Sequence, residues 1–281
     1  MPIEENADRS SAKISQATGS LIAFFALTYA LMWACFFTVA FRVPGTTLLG
    51  HTLLLLGTFA PSLSALFLTW RAQGRTGVQD LLGGIFKWEV NARWYVFAIG
   101  YIAAIKLAVA LLHRVLTGAW PTFGDLPWHI MAIAIIFSTP VQAGEEIGWR
   151  GYALPRLEQR FGLAWASVLL GVIWAVWHLP QFFVREADTY SQSFFIFVLQ
   201  VTAVSVAMAW LWERTGRSLL LTMLMHASAN NTKDIVPSAT PGGTQMFGLS
   251  ASLVAWLTVA MLCICAAYFL IRMRRRPDSA H

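Results

Sequence analysis

The sequence predicts an all-α, polytopic membrane protein with one transmembrane domain. Of its 281 residues, 57% are hydrophobic and only 12% are charged. Soluble domains contain about 45–50% apolar and about 25% charged residues, so this composition is typical of an integral membrane protein. The apolar residues also fall into runs close to the length that a helix needs to cross a bilayer, about 20 residues.

Eight such runs follow one another, and each predicts a transmembrane helix. They cover residues 21–41, 48–70, 94–116, 128–146, 163–180, 193–212, 217–231 and 247–271. The seventh run is short, and the fourth and fifth are near the lower limit of about 17 residues. These three carry the unusual polar residues, as expected for helices that are buried among longer ones and line a wet cavity.

Polar segments bound the transmembrane domain. Residues 1–20 are predicted as an N-terminal tail, residues 21–271 as the transmembrane domain and residues 272–281 as a basic tail. With the N-terminus inside, 15 Lys and Arg residues lie on the inner side and four on the outer side. This bias favours two cytoplasmic termini, and we expect the protein in the plasma membrane of a bacterium. Because the basic residues flank apolar runs, they predict contact with the lipid bilayer and not with nucleic acid.

The end of the fourth run carries two adjacent carboxylates, Glu145 and Glu146, and then Arg150. Ionisable groups in a membrane span are costly and by default indicate function. On a helix, Glu146 and Arg150 are i,i+4 neighbours that can pair, which taken alone favours a structural role. Glu145 points about 100° away from Glu146 around the helix. The pattern therefore predicts one neutralised carboxylate and one that is available for chemistry.

Two further runs add the polar groups that a hydrolase needs. His178 ends the fifth run, and His226 and Asn230 share a helix face on the seventh. Glu145 near neutral histidines in a partly dry cavity would act as a general base for water. Asn230 could donate a hydrogen bond to a developing oxyanion. Each residue alone has a structural explanation, but their joint occurrence predicts a polar catalytic cavity among helices 4, 5 and 7.

Three ordered motifs carry a resemblance to a known family. They are Glu145-Glu146-x-x-x-Arg150, Trp174-x-x-x-His178 and His226-x-x-x-Asn230. This pattern resembles the CPBP family of intramembrane proteases, which includes the CAAX prenyl endopeptidases and bacterial abortive-infection and bacteriocin-immunity proteins. The resemblance covers residues 125–235, and it implies that Glu146 and Arg150 hold the first motif in shape. One departure is Trp174, because the second motif usually begins with phenylalanine; we expect the exchange to reshape the pocket without removing chemistry.

The resemblance also implies roles for the remaining motif residues. Glu145 would activate water with the help of His178, and His226 and Asn230 would form the oxyanion site. The implied substrate is a membrane-associated or lipid-modified, CAAX-like peptide. The family has also been described as metalloproteases, so zinc bound by Glu145, His178 and His226 is an alternative to the favoured metal-free mechanism, which requires no cofactor.

The sequence also permits two other functions. A non-catalytic membrane scaffold or immunity protein could have the same fold. A proton-coupled transporter is less favoured, because buried Glu and His also form proton relays but the chain shows no paired repeats.

Helix geometry raises one difficulty for this site. At about 1.5 Å per residue, Glu145 would lie at the inner edge of the fourth helix and His178 most of the way across the fifth. For the two side chains to meet, the fourth helix must be tilted or broken at Pro140, or the helix must continue past Arg150.

Overall fold

The computed structural model describes residues 2–190, 192–238 and 246–274, and the side chains within those ranges from residue 19 onward. The described residues contain ten α-helices and no strand, which confirms the all-α prediction. The helices are α1 (Pro2–Phe41), α2 (Leu48–Thr58), α3 (Ala60–Gly83), α4 (Ala92–Thr117), α5 (Trp128–Ser138), α6 (Ala143–Glu146), α7 (Leu154–Trp177), α8 (Phe194–Arg214), α9 (Leu219–Thr232) and α10 (Leu253–Arg274). Short 3₁₀ segments lie at Gly84–Phe86, Pro140–Gln142, Leu179–Phe183 and Lys233–Ile235, and a π-helical segment at Ile147–Ala153.

Several of these helices are long and apolar enough to cross a membrane, which confirms the multi-pass prediction. Five stretches meet this criterion in the described chain: Gly19–Phe41, Ala92–Thr117, Pro140–Phe183, Phe194–Arg214 and Leu253–Arg274. A sixth is possible if α2 and the helix that follows it, bent by 53°, count as one broken span. The predicted number of eight is not confirmed, because α5 has only 11 residues and α9 only 14.

The predicted tails differ in how far the structure describes them. The α1 helix begins at Pro2, so the backbone is helical through most of the predicted N-terminal tail. At the other end, α10 continues to Arg274, and residues 275–281 of the predicted basic tail lie outside the described residues.

The predicted end of the fourth span is wrong, whereas the predicted start of the fifth coincides with a break in the helix. After α5 ends at Ser138, Pro140 opens a 3₁₀ turn, and the chain then stays helical through α6, the π segment and the first part of α7. Gly162 has non-helical dihedral angles (φ 70°, ψ 156°), so α7 is kinked there and its second part begins at residue 163. Pro140 has no backbone N–H and cannot continue a regular helix, which explains the break. Arg150, predicted in a cytoplasmic loop, lies in the π segment with 0% of its surface exposed. Both geometric solutions considered above therefore occur together: a break at Pro140 and a helix that continues past Arg150.

Two glycines allow α3 to pack closely against this segment. A Cβ atom on Gly144 would lie 2.8 Å from the ring of Phe59, and one on Gly148 would lie 2.5 Å from Pro61. The hydroxyl of Ser62 donates a hydrogen bond to the carbonyl of Ala143. Small residues of this kind let backbones approach closely in membrane proteins. The Gly-x-x-x-Gly pair therefore fixes the position of the two glutamates against α3.

The end of α7 is held by α1. The hydroxyl of Tyr29 donates to the carbonyl of Ile173 at 2.5 Å, and the indole nitrogen of Trp33 donates to the carbonyl of Trp177 at 3.1 Å. Pro180 follows shortly and ends the regular helix. These contacts fix the backbone from which Trp174 and His178 project.

Candidate active site

The residues predicted for chemistry meet at one cavity. It has a volume of about 560 Å³, within the usual range for ligand pockets, and its lining includes Glu145, Trp174, His178, His226 and Asn230. These side chains come from α6, from α7, from His178 directly after α7, and from α9. Glu146 and Arg150 do not line the cavity and lie behind it, fully buried.

The α9 helix places His226 and Asn230 one turn apart on the cavity side. It begins at Leu219, where the side chain of Ser218 caps the backbone N–H of Leu221, as serine does at many helix starts. The hydroxyl of Ser228 ties the same helix to the carbonyl of Ile99 on α4. His226 is buried, whereas Asn230 is exposed at the cavity.

Glu146 is the centre of a buried charge cluster. Its Oε1 accepts a 2.9 Å hydrogen bond from Nη1 of Arg150, so the pairing predicted from their i,i+4 spacing is present. The same oxygen lies 2.9 Å from Nδ1 of His226, a contact that the sequence did not predict. Because an ionised carboxylate only accepts hydrogen bonds, Nδ1 of His226 is the donor. The ring then has Nε2 available for a substrate.

Glu145 is held differently from Glu146. Its Oε2 accepts a 2.7 Å hydrogen bond from the indole nitrogen of Trp174. The side chain is only 6% exposed, yet it lines the cavity. Among the described residues no hydrogen bond occupies Oε1. One carboxylate oxygen is thus fixed by the protein and the other is free for a bound water or substrate.

His178 is oriented by the backbone of its own helix. Nδ1 lies 2.8 Å from the carbonyl of Trp174, which can only accept, so Nδ1 carries the proton. His178 also interacts electrostatically with Glu145 and His226. In its neutral form it therefore presents a proton-accepting Nε2 to the site.

Trp174 contacts all of these groups, and its sequence motif did not predict this role. The guanidinium of Arg150 lies 4.3 Å from the centre of its ring, and the imidazole of His226 meets the ring edge-on at 5.2 Å. The exchange from phenylalanine was expected to change the shape of the pocket, but it also supplies an N–H donor for Glu145. A buried indole N–H usually needs a partner, and this was the signal in the sequence that could have identified the contact.

The alternative zinc ligands are Glu145, His178 and His226, and the two histidines are already held by the protein. Nδ1 of His178 and Nδ1 of His226 are each bonded to an oxygen, an arrangement that is common behind metal-binding histidines. However, no group of three or more His, Cys, Asp or Glu side chains in the described part of the chain is close enough to hold a metal ion. The proposed set of Glu145, His178 and His226 does not fit a metal in this geometry, and no reaction step below depends on one.

Comparison with known proteins gives two matches. Residues 125–232 match a family model described as type II CAAX prenyl endopeptidase Rce1-like. The chain is also 24% identical over 226 residues to CAAX prenyl protease 2 of Methanococcus maripaludis, a match that covers 76% of this chain and 83% of that protein. The family match begins where the sequence resemblance begins and ends three residues earlier. It includes every residue predicted for the site, from Glu145 to Asn230.

Proposed function

We propose a substrate and a mechanism for this chain on the premise that it belongs to the CPBP family of membrane proteases. The chain is a multi-pass membrane peptide hydrolase, as the two matches indicate. Its proposed substrate is a lipid-modified peptide, since both matched descriptions name prenyl proteases. The acyl or prenyl chain would lie in the bilayer, and the peptide would enter the cavity that Glu145 lines.

Glu145 is proposed as the general base. One of its oxygens is fixed by Trp174, and Oε1 accepts a proton from water as the water oxygen attacks the substrate carbonyl. Nε2 of His178 accepts a hydrogen bond from the same water and orients it. The proton on Glu145 then moves to the leaving amine as the C–N bond breaks, which regenerates the carboxylate. This arrangement of Glu145, one oxygen held and one free at the cavity, is the observation that carries the proposal.

Asn230 and His226 are both proposed to stabilise the oxyanion with a hydrogen bond. They differ in the protonation state that each needs in order to donate. The side-chain amide of Asn230 always carries N–H donors. Neutral His226 already uses its proton on Glu146, so its Nε2 can donate only when the ring is an imidazolium. Asn230 is therefore the donor that needs no change of protonation.

A metal-free reaction is proposed because the groups named above supply each proton transfer. The decisive experiment is cleavage of a panel of prenylated and otherwise membrane-anchored peptides by purified protein, for wild type and Glu145→Gln, with and without chelator. General base catalysis contributes roughly 100-fold or more, so we expect at least that loss in the variant. Full activity of Glu145→Gln would reject the proposed base. Loss of wild-type activity with chelator, restored by zinc, would reject the metal-free mechanism.

The membrane orientation is also a proposal. We place both termini in the cytoplasm of a bacterial cell because of the bias in Lys and Arg between the two sides. A reporter that is active only in the cytoplasm should be active when fused to either terminus. Activity of only one of the two fusions would imply an odd number of spans.

A further inference from the structure

A buried lysine lies on the wall of the same cavity, and the mechanism does not use it. Lys106 is on α4, only 4% of its surface is exposed, and it lines the cavity together with Glu145 and His226. Its ammonium group donates to the carbonyl of Val236 at 3.0 Å and to the hydroxyl of Ser238 at 2.7 Å. A third contact, to the hydroxyl of Thr258, is longer at 3.4 Å.

The partners of Lys106 satisfy its hydrogen bonds but not its charge. All three are neutral oxygens, and no carboxylate of the described residues is within ion-pair distance of Nζ. Asp234 attracts the ammonium from farther away, and Lys233 opposes that attraction. A buried charge in a membrane span is costly without a partner, and such a group indicates a functional site.

The surroundings of Lys106 fit the end of a peptide. Apolar side chains of the cavity lining lie on the same helix and on α8 and α10: Ile102, Ile105, Val201, Val204 and Leu262. Hydroxyl groups of Ser238 and Thr258 lie next to the ammonium. An ammonium beside hydroxyls and apolar walls can bind a carboxylate and the hydrophobic side chain attached to it.

We propose that Lys106 binds the free C-terminal carboxylate of the peptide substrate. The inference rests on the proposed function, because a peptide must first occupy the cavity. The C-terminal carboxylate is the one anion that every unmodified peptide has, whatever its sequence. It can replace the long contact to Thr258 while the two shorter hydrogen bonds persist. With the chain end held at Lys106, the cavity distinguishes a peptide that ends in a free carboxylate from one whose end is blocked.

Apart from the proposed base Glu145, the acidic residues of the cavity are exposed and do not compete with this role. They are Glu186, Asp188 and Asp234, and Asp188 is already paired with Lys233 at 2.5 Å. Water and salt screen exposed charges much more strongly than buried ones. The interaction with Lys106, in contrast, takes place in the buried part of the cavity.

The test compares two forms of one cleavable lipidated peptide, with a C-terminal carboxylate or a C-terminal amide. For wild type we expect kcat/KM to be roughly 10- to 100-fold higher for the carboxylate, as for a hydrogen bond to a charged group. In Lys106→Met the ratio should fall to near one. Lys233→Met is the matched control, because it removes the other lysine of the cavity, and its ratio should stay at the wild-type value.

The outcomes separate this inference from the proposed function. Equal wild-type cleavage of both peptides overturns the role of Lys106 and leaves the protease activity intact. A ratio that persists in Lys106→Met also overturns it, even if both rates fall, since that pattern indicates only a structural lysine. If Lys106→Met does not fold, inhibition of wild type by the released C-terminal fragment gives the same comparison: the carboxylate form should inhibit at least tenfold more strongly than the amide. Cleavage of neither peptide by wild type would reject the proposed function itself.

Discussion

The indole nitrogen of Trp174 donates a 2.7 Å hydrogen bond to Oε2 of Glu145. This contact joins two helical segments and directs the carboxylate that is proposed as the base. A hydrogen bond to an ionised acceptor is about twice as strong as one between neutral groups, so it fixes the side chain firmly. The same ring packs against Arg150 and His226, so Trp174 contacts both the proposed base and the two residues that are paired with Glu146.

The first prediction concerns that hydrogen bond. Trp174→Phe keeps an aromatic ring but removes the N–H, so Glu145 loses its fixed orientation. We expect kcat to fall roughly tenfold or more, as for the loss of one hydrogen bond to a charged group, while KM changes little. Steady-state kinetics on a cleavable lipidated peptide measure both constants. Trp165→Phe on the exposed side of α7 is the control and should leave kcat within about twofold of wild type. Equal kcat values for Trp174→Phe and wild type would mean that the hydrogen bond does not orient the base.

The second prediction concerns the charge cluster at Glu146. In Glu146→Gln, Arg150 becomes a buried charge without an ionised partner. His226 loses the charged carboxylate oxygen to which its Nδ1 donates. Breaking a buried pair in this way costs about 3–5 kcal/mol of stability. Thermal unfolding in detergent should show a clearly lowered midpoint.

An exposed ion pair gives the matched control for that measurement. Glu158→Gln removes a carboxylate that lies 3.1 Å from Arg217, and the Arg217 side chain is 58% exposed. Surface pairs contribute about 0–1 kcal/mol, so the unfolding midpoint should hardly change. Similar midpoints for the Glu146 and Glu158 variants would show that the buried cluster adds nothing special to stability.

The third prediction tests the close approach of α3 to the segment that carries the glutamates. Gly148→Ala would put a Cβ atom 2.5 Å from Pro61, and the backbone would have to move. Overpacking of this kind costs about 1–3 kcal/mol and should also displace Glu145. Gly100→Ala is the control, since no atom lies within 4 Å of a Cβ at that helical position. We expect it to unfold at or above the wild-type temperature, and we expect Gly148→Ala to lose both stability and kcat. A stable, fully active Gly148→Ala would contradict this account.

Local patterns predicted some parts of the molecule well and could not predict others. Apolar runs predicted the long membrane helices, and i,i+4 spacing predicted the pair of Glu146 and Arg150. Arg150 itself was misplaced, because a charge after an apolar run is usually read as a loop residue. Its burial depends on Glu146 and on the ring of Trp174, which hydropathy does not register. The contact between Glu145 and Trp174 spans 29 residues and that between Glu146 and His226 spans 80, so no helical spacing rule could reveal them.

The last prediction separates two adjacent asparagines on α9. Asn230 lines the cavity and is proposed to donate to the oxyanion, whereas Asn231 uses its amide on Ser138 and on the carbonyl of Ala227. Removing one oxyanion donor costs about 100- to 1,000-fold in kcat, so Asn230→Ala should show a loss of that size with a nearly unchanged KM. Asn231→Ala loses one contact to the end of α5 and one within α9, and it should affect the unfolding temperature more than kcat. Because both variants remove the same amide from neighbouring positions, a general disturbance of α9 would lower the two rates alike, and that result would exclude Asn230 as an oxyanion donor.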